Sequence, residues 1–241
     1  SVIVPVFQEE KILERILSKY VEYKKIFPFE LIVSDGGSKD KTVEIAEKYA
    51  DKIVVHQAEH KQTISEGRNK GAEIAEGEIL VFINGDTIPS NLDDFFNRIL
   101  DWKFGRSNFS HCNGLTCWVT IEKRELKLKD RLFYAIHNRY IKFLNLIGVG
   151  MGRGECQIIT KESFERLGGY DQNLAAGEDF DLFRRLAKFG KIGFMSDIKV
   201  LESPRRFRKY GYLRVIFSWI LNSVFVMIYG RSSSNDWEPV R

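Results

Sequence analysis

The chain has few cysteines, little net charge and no internal repeat. Its cysteines, Cys112, Cys117 and Cys156, are odd in number and match no disulfide framework, which predicts a reducing, cytoplasmic location. The net charge of +4 is too small to indicate a nucleic-acid partner. No low-complexity run, convincing linker or signal peptide is visible. These absences favour one large globular domain within the 241 residues.

One segment, residues 215–230, has no charged residue at all. As a helix it would span about 24 Å, short of the roughly 30 Å hydrocarbon core of a bilayer. Three alternatives stay open, namely contact with a membrane surface or partner, a core helix, and a membrane span. Basic residues near this segment favour peripheral contact with the inner face of a membrane through residues 205–230. They are Arg205, Arg206, Arg208, Lys209 and Arg214.

Strand-like apolar runs alternate with helical periodicity along the chain. In the first half, strands are predicted at 2–7, 30–34, 53–55 and 79–83, and helices at 9–23, 38–49 and 65–75. In the second half, helices are predicted at 92–102, 130–146, 161–167 and 178–189, and strands at 115–121, 156–160, 192–195 and 198–201. Ser38 is predicted to cap the second helix. The alternation predicts an α/β fold with a doubly wound, mostly parallel sheet shared by both halves.

A carboxylate follows the fourth predicted strand, where Asn84, Gly85 and Asp86 end an apolar run. Open α/β sheets bind ligands beyond the carboxyl ends of their strands. Asp86 has no Lys or Arg beside it in sequence, so it is predicted to hold Mn²⁺ or Mg²⁺ through oxygen. The alternative is an ordinary turn, for which Asn-Gly-Asp is good chemistry.

Four motifs occur in a fixed order. They are VIVPVFQEE at 2–10, LIVSDGGSKDKT at 31–42, GRNKG at 67–71 with FINGDT at 82–87, and GGYD at 168–171 with GEDFDL at 177–182 and RRL at 184–186. Their order and spacing over residues 1–210 closely resemble the inverting nucleotide-sugar glycosyltransferases of family 2, which have a GT-A fold. The resemblance implies a small antiparallel addition to the sheet, followed here by a C-terminal helix.

The resemblance implies roles for individual residues. Pro5, Phe7 and Glu9 match the loop around the nucleoside, and Asp35 matches the acid that hydrogen-bonds the base. Asp86 matches the last residue of the metal-binding Asp-x-Asp motif. Asp179 matches the catalytic base of a Glu-Asp pair.

Two departures from the family pattern stand out. The first acid of the metal motif is Asn84 here, a neutral and weaker ligand, which Gly85 separates from Asp86. The Gln-x-x-Arg-Trp motif of processive polysaccharide synthases is absent, and SPRRF stands at 203–207 instead. This difference favours transfer of a single sugar over polymer extrusion.

General chemistry supports these roles. A leaving nucleoside diphosphate needs its charge neutralised, by a cation at Asp86 with help from Arg205 and Arg206. Asp179 would take the acceptor proton, and the positive end of its helix is expected to keep it ionised. Glu178 would bind acceptor hydroxyls or have a structural role.

Each assignment has a plainer alternative. Asp35 could form an Asx turn, and Asp179 could only complement a helix dipole. Arg68 could be an ordinary surface residue rather than a nucleotide contact.

The sequence therefore predicts a metal-dependent inverting glycosyltransferase that uses a UDP-sugar, or alternatively GDP-mannose. It would transfer one sugar to an acceptor hydroxyl or a membrane lipid-linked acceptor. The other hypotheses are a nucleotide-sugar-binding protein without activity and a nucleotidyltransferase. Residues 1–210 are predicted to form the GT-A domain, with a nucleotide-binding half at 1–88 and an acceptor half at 89–210, and residues 211–241 an apolar helix and tail.

Overall fold

The computed structural model describes residues 1–234 and 240. The remaining residues of the predicted tail, 235–239 and 241, lie outside the described residues. The first half contains β1 (Val2–Val6), α1 (Leu13–Tyr23), β2 (Leu31–Asp35), α2 (Thr42–Tyr49), β3 (Lys52–Val55), α3 (Ile64–Glu73) and β4 (Ile79–Ile83). The second half contains β5 (Ile88–Pro89), α4 (Leu92–Lys103), β6 (Cys112–Thr120), α5 (Leu128–Leu146), β7 (Cys156–Thr160), α6 (Lys161–Arg166), α7 (Glu178–Ala187), β8 (Lys191–Leu201), α8 (Arg205–Tyr210) and α9 (Tyr212–Tyr229).

All described strands belong to one sheet, in the order β3-β2-β1-β4-β7-β6-β8-β5. The first four strands of this order run parallel to one another. Strand β7 is antiparallel to both β4 and β6, and β5 is antiparallel to β8. The predicted doubly wound, mostly parallel sheet with a small antiparallel addition and a C-terminal helix is therefore confirmed.

The sheet has an apolar layer on each face. Along β1, Val2, Val4 and Val6 enter one buried cluster, whereas Ile3 enters the other. Successive strand residues point to opposite faces, so an apolar run without alternation supplies both layers at once. This explains why the short runs of β1, β2 and β4 are recognisable in the sequence.

Helix starts were predicted less accurately than strands. Helix α1 begins at Leu13 rather than residue 9, because the chain turns sharply after β1 at Gln8, whose φ is 54°. Ser38 does not cap α2, which begins at Thr42. The Ser38 hydroxyl donates instead to Asp35 Oδ2 at 2.6 Å, while Asp40 Oδ1 accepts from the backbone N–H of Thr42 at 3.0 Å.

The carboxyl-terminal part contains elements that the periodicity did not reveal. The predicted strands 192–195 and 198–201 form one continuous strand, β8, with a register shift where it pairs with β6. The short strand β5 and the basic helix α8 were not predicted. Both contain few residues, so neither repeats an apolar period often enough to be recognised.

Helix α9 packs on the domain through one narrow face, made by Val215, Asn222 and Val226. Among the described residues it is the one helix long and apolar enough to cross a membrane, and 17% of it is buried. In the part of the chain that the structure describes, α9 is therefore not enclosed as a core helix would be. The polar side chain of Asn222 points inward and holds Ser233 and Ser234 through its Oδ1.

Candidate active site

A cavity of about 480 Å³ lies at the carboxyl ends of β1, β2 and β4. The strand ends of a parallel sheet meet at this edge, so side chains far apart in sequence converge there. Many of the residues predicted for the donor side line the cavity. They are Pro5, Phe7, Glu9, Asn84, Gly85, Asp86, Arg205 and Arg206.

The loop after β4 is both a tight turn and part of the cavity wall. The backbone N–H of Thr87 donates to Asn84 O at 3.0 Å, which closes the turn. A Cβ at Gly85 would lie 2.8 Å from Val6 Cγ1, so glycine lets this loop approach β1 closely. The turn alternative and the site hypothesis are thus compatible, because the turn is what presents Asp86 to the cavity.

Arg205 joins the first and last parts of the cavity wall. Its guanidinium contacts both carboxylate oxygens of Glu9, at 2.8 and 2.5 Å, and Asp86 Oδ2 at 3.1 Å. A planar guanidinium with several donors suits such simultaneous contacts, and it suits phosphate oxygens equally well. Arg205, which is predicted to help at the phosphates, is therefore paired with Asp86, the acid that is predicted to bind the metal ion.

The residues of this cavity fit a divalent cation under one condition. Within residues 1–234 and 240, no group of three or more His, Cys, Asp or Glu side chains could hold a metal ion. Mg²⁺ and Mn²⁺ sites of nucleotide enzymes often use one or two carboxylates together with substrate phosphates. Asp86 can supply such a carboxylate, so a bound diphosphate would have to supply further ligands.

A smaller cavity of about 170 Å³ adjoins the first and contains Asp179. Among the described residues, four line both cavities, which places them at the boundary between the two spaces. They are Ile64, Asn84, Glu155 and Trp219. The predicted donor side and the predicted base are therefore neighbours in space.

Asp179 lies in the first turn of α7, and backbone N–H groups hold its carboxylate. Its Oδ2 accepts from the N–H of Gly154 at 2.8 Å, and its Oδ1 accepts from the N–H of Phe180 at 2.9 Å. Burial and the charge of Glu178 raise the pKa of Asp179 to about 7, although Arg68 lowers it. The expectation that the helix end keeps this acid fully ionised is corrected, because burial and the second carboxylate outweigh the helix dipole.

Arg68 is a buried network residue rather than a surface residue. It is 1% exposed, and it donates to Glu178 Oε1 at 2.7 Å and to Asn84 Oδ1 at 3.1 Å. Its Nη2 also donates to Gly154 O at 2.9 Å, next to the amide that holds Asp179. Arg68 therefore connects the β4 loop with the start of α7, and Glu178 is occupied by this ion pair.

Asp35 is completely buried and does not line the larger cavity. Its Oδ1 accepts from the backbone N–H groups of Gly37 and Ser38, at 2.9 and 2.7 Å. This is the Asx-type turn considered as the plainer alternative. The turn shapes the loop whose Gly36 lines the cavity, and direct contact of Asp35 with a base stays a prediction.

The sequence reasoning missed Glu155, an acid at the cavity wall beside Glu202, which is a further candidate for a metal or phosphate-side group. Glu155 lines both cavities and receives two hydrogen bonds from Arg153, at 3.2 and 3.0 Å. Burial and the charge of Glu155 raise the pKa of Glu202 well above its ordinary value, while Tyr134 donates to Glu202 at 2.6 Å. Glu155 precedes β7, whose Cys156 pairs with Ile83, and only the antiparallel pairing brings it to this edge.

Comparison with known proteins gives this geometry a family context. A sequence model described as glycosyl transferase family 2 matches residues 1–168. The chain is 33% identical over 221 residues to glycosyltransferase AglE of Haloferax volcanii, which covers 86% of this chain and 67% of AglE. It is also 32% identical over 95 residues to a chondroitin synthase of Pasteurella multocida, of which it spans only 10%.

Solved structures share the fold at lower identity. A mannosyltransferase from Pyrobaculum calidifontis, PcManGT, in complex with GDP-Man and Mn²⁺, superposes with a TM-score of 0.66 at 20% identity, covering 92% of this chain and 61% of that one. Glucosyl-3-phosphoglycerate synthase from Mycobacterium tuberculosis, with Mn²⁺, UDP and phosphoglyceric acid, gives a TM-score of 0.60 at 18% identity, covering 94% and 76%. At these identities the likeness establishes the fold alone.

Proposed function

This chain belongs to glycosyl transferase family 2 and has the GT-A fold, and from that premise we propose how it works. As a nucleotide-sugar glycosyltransferase, it transfers one sugar with inversion and depends on a divalent cation. Residues 1–88 provide most of the nucleotide site, and residues 89–210 provide the base and the acceptor side. The observation that carries the proposal is the adjoining pair of cavities, one lined by Asp86 and the other by Asp179.

The donor diphosphate occupies the larger cavity. Asp86 would hold Mn²⁺ or Mg²⁺, and such an ion would supply the positive charge that a leaving diphosphate needs. Arg205 exchanges its contact with Asp86 for the phosphates, and Arg206 lines the same wall. Pro5, Phe7 and Glu9 surround the nucleoside.

The acceptor approaches through the smaller cavity. Asp179 accepts the proton of the attacking hydroxyl, and its pKa of about 7 suits a general base at neutral pH. Arg68 and Glu178 fix the start of α7, so Asp179 keeps its orientation. Attack from the side opposite the leaving diphosphate inverts the anomeric configuration.

The donor is a UDP-sugar, with GDP-mannose as the second choice. The two solved structures described above contain UDP and GDP-Man respectively, so the shared fold accommodates both nucleotides. Both also contain Mn²⁺, which supports the same ion here. The acceptor is a hydroxyl or a membrane lipid-linked molecule, and residues 205–230 bring the enzyme to the inner face of a membrane.

A ligand panel followed by product analysis tests the proposal. A ligand that binds only the native state raises the melting temperature, so UDP- and GDP-sugars are compared with and without Mn²⁺. The proposal expects the largest rise with a UDP-sugar and Mn²⁺ together, then slow sugar release to water or an added acceptor with inverted configuration. Binding without any turnover would instead identify an inactive nucleotide-sugar-binding protein.

A further inference from the structure

Helices α5 and α9 each expose a row of large apolar side chains on the surface of the domain. On α5 the exposed side chains recur every three or four residues, which places them along one side of the helix. They are Leu128, Leu132, Ile136, Tyr140, Phe143 and Leu146. On α9 the corresponding row contains Leu213, Phe217, Ile220, Val224, Met227 and Ile228. We call these two rows together the α5–α9 face.

The two helices touch, so the two rows lie on adjacent helices. The rings of Phe133 and Tyr212 lie 4.6 Å apart, and those of His137 and Trp219 lie 5.4 Å apart. On α5, the exposed Leu132 and Ile136 directly precede the contact residues Phe133 and His137. The exposed row therefore lies next to the side of α5 that packs against α9. The packed side of α9 holds Asn222, whereas its outer side is apolar. This polarity is the reverse of that expected for a helix facing water.

The exposed charges on these two helices have one sign. Between residues 126 and 154 the sole acid is Asp130, which is fully buried and paired with Arg208, and between 203 and 234 there is no acid. Exposed basic residues belong to the same two helices. They are Lys129, Arg131, Arg139, Lys142 and Arg214. An apolar surface bordered by cations complements the anionic headgroups and acyl chains of a lipid bilayer.

We infer that the α5–α9 face lies on the surface of an anionic membrane. The inference rests on the proposed membrane contact of residues 205–230 and adds α5 to the contacting surface, because α5 contributes an equal row of apolar side chains. Arg205 and Arg208 of the predicted basic cluster face inward, toward Asp86 and Asp130. A second copy of the chain is disfavoured as the occupant, since a symmetric dimer would bring like charges together.

This placement also determines the direction from which an acceptor would reach Asp179, the proposed base. The cavity around Asp179 is walled by His137 and Ile141 from α5 and by Trp219 and Asn222 from α9. The same two helices therefore face the bilayer on one side and the base on the other. A membrane-borne acceptor would reach Asp179 without leaving the interface, which selects lipid-linked acceptors over soluble ones.

Flotation with lipid vesicles tests the inference without any sugar nucleotide or acceptor, so its outcome is independent of the transferase reaction. The protein is mixed with neutral phosphatidylcholine vesicles or with vesicles containing about 30% phosphatidylglycerol. We expect binding to the anionic vesicles, weaker binding to neutral ones, and weakening by salt, because charge attraction is screened. Absence of binding to anionic vesicles would overturn the inference.

Paired substitutions then locate the surface. Leu132 and Ile136 are 62% and 61% exposed, so L132E with I136E should preserve the fold and weaken binding roughly tenfold or more. Ile26 and Phe104, on neither helix, are 63% and 60% exposed, and I26E with F104E is the matched control expected to bind normally. Melting curves verify folding of both variants.

Two results would contradict the assignment. Normal vesicle binding by the Leu132 and Ile136 variant would exclude α5 from the surface, even if residues 205–230 still bind. A concentration-dependent dimer in sedimentation that the same substitutions abolish, with no vesicle binding, would assign the face to a second copy of the chain.

Discussion

Asp86 and Asp179 are two carboxylates in adjoining cavities whose surroundings differ in one essential respect. Asp86 lies 3.1 Å from Arg205, so a cation already compensates its charge. Asp179 is held by backbone N–H groups beside a second acid, Glu178, and its pKa is raised to about 7. In the proposed function, the surroundings of each acid rather than its residue type separate the acid that would bind the cation from the acid that would accept the proton.

The two sites also differ in how firmly their charged groups are held. Arg205 reaches Asp86 from a distant part of the sequence, and under the proposed function it would move to a phosphate when a metal ion takes its place at Asp86. Glu178, by contrast, is fixed by the buried Arg68. Under the proposed function, the donor side would exchange partners, whereas the acceptor side would stay in place. Four substitutions or conditions test this comparison.

The largest effect is expected from Asp179→Asn. The amide keeps the size of the side chain but cannot accept a proton, so transfer to a hydroxyl acceptor should fall by roughly 10²-fold or more while donor binding persists. Asp93→Asn, which also changes an acid in the first turn of a helix, is the matched control. Near-normal turnover in Asp179→Asn, or product that retains the donor configuration, would show that the proposed mechanism is wrong.

A smaller loss is expected from Asp86→Ala. Without this carboxylate the cation loses the ligand proposed for it, so calorimetry should show that Mn²⁺ no longer improves nucleoside diphosphate binding. The loss should be roughly 10- to 100-fold, equivalent to about 1.4 to 2.8 kcal/mol. Asp101→Ala removes an exposed acid that is also paired with an arginine, and it should leave binding unchanged. Unaltered metal dependence in Asp86→Ala would refute the metal assignment.

A further reduction in affinity is expected from Asp35→Ala. The carboxylate can accept a hydrogen bond from the imino group of uracil or guanine, and it also holds the Gly37 and Ser38 amides. Losing either role should weaken binding of the preferred nucleotide by roughly tenfold. Ser38→Ala, which removes one bond to Asp35 and leaves the carboxylate, separates the loop role from the base role. Wild-type affinity in Asp35→Ala would exclude both.

The smallest effect concerns pH. Because Asp179 must be deprotonated to act as a base, the transfer rate should rise with pH and reach half its maximum near 7. The charge of Glu178 contributes to the raised pKa, so Glu178→Gln should move this rise to lower pH. A rate profile that is flat between roughly pH 5.5 and 8 would mean that another group accepts the proton.

The sequence predicted the parallel half of the fold well and the edges of its helices less well. The strands at β1, β2 and β4 were recognisable because each is buried on both faces. The start of α1 was not, because the Glu9 amide donates to Thr42 Oγ1, a contact that no local pattern contains. Element boundaries depend on such partners, whereas element types depend on the local apolar period.

The same distinction applies to the site. Residues that follow a strand, such as Asp86, were found because parallel strand ends converge at one edge. Glu155 was missed because it precedes a strand, and it reaches that edge only through the antiparallel pairing of β7 with β4. The assignments of individual roles at the site stay predictions until the variants are measured.

The sequence by itself determined the alternation of strands and helices, the family and the acids that could do chemistry, because these depend on residue type, order and spacing. The tertiary structure alone decided the surroundings of those acids, since burial and the charge of Glu178 raise the pKa of Asp179 and Arg205 pairs with Asp86. It also decided that α9 turns Asn222 inward and its apolar side outward, because packing selects which face of a helix is covered.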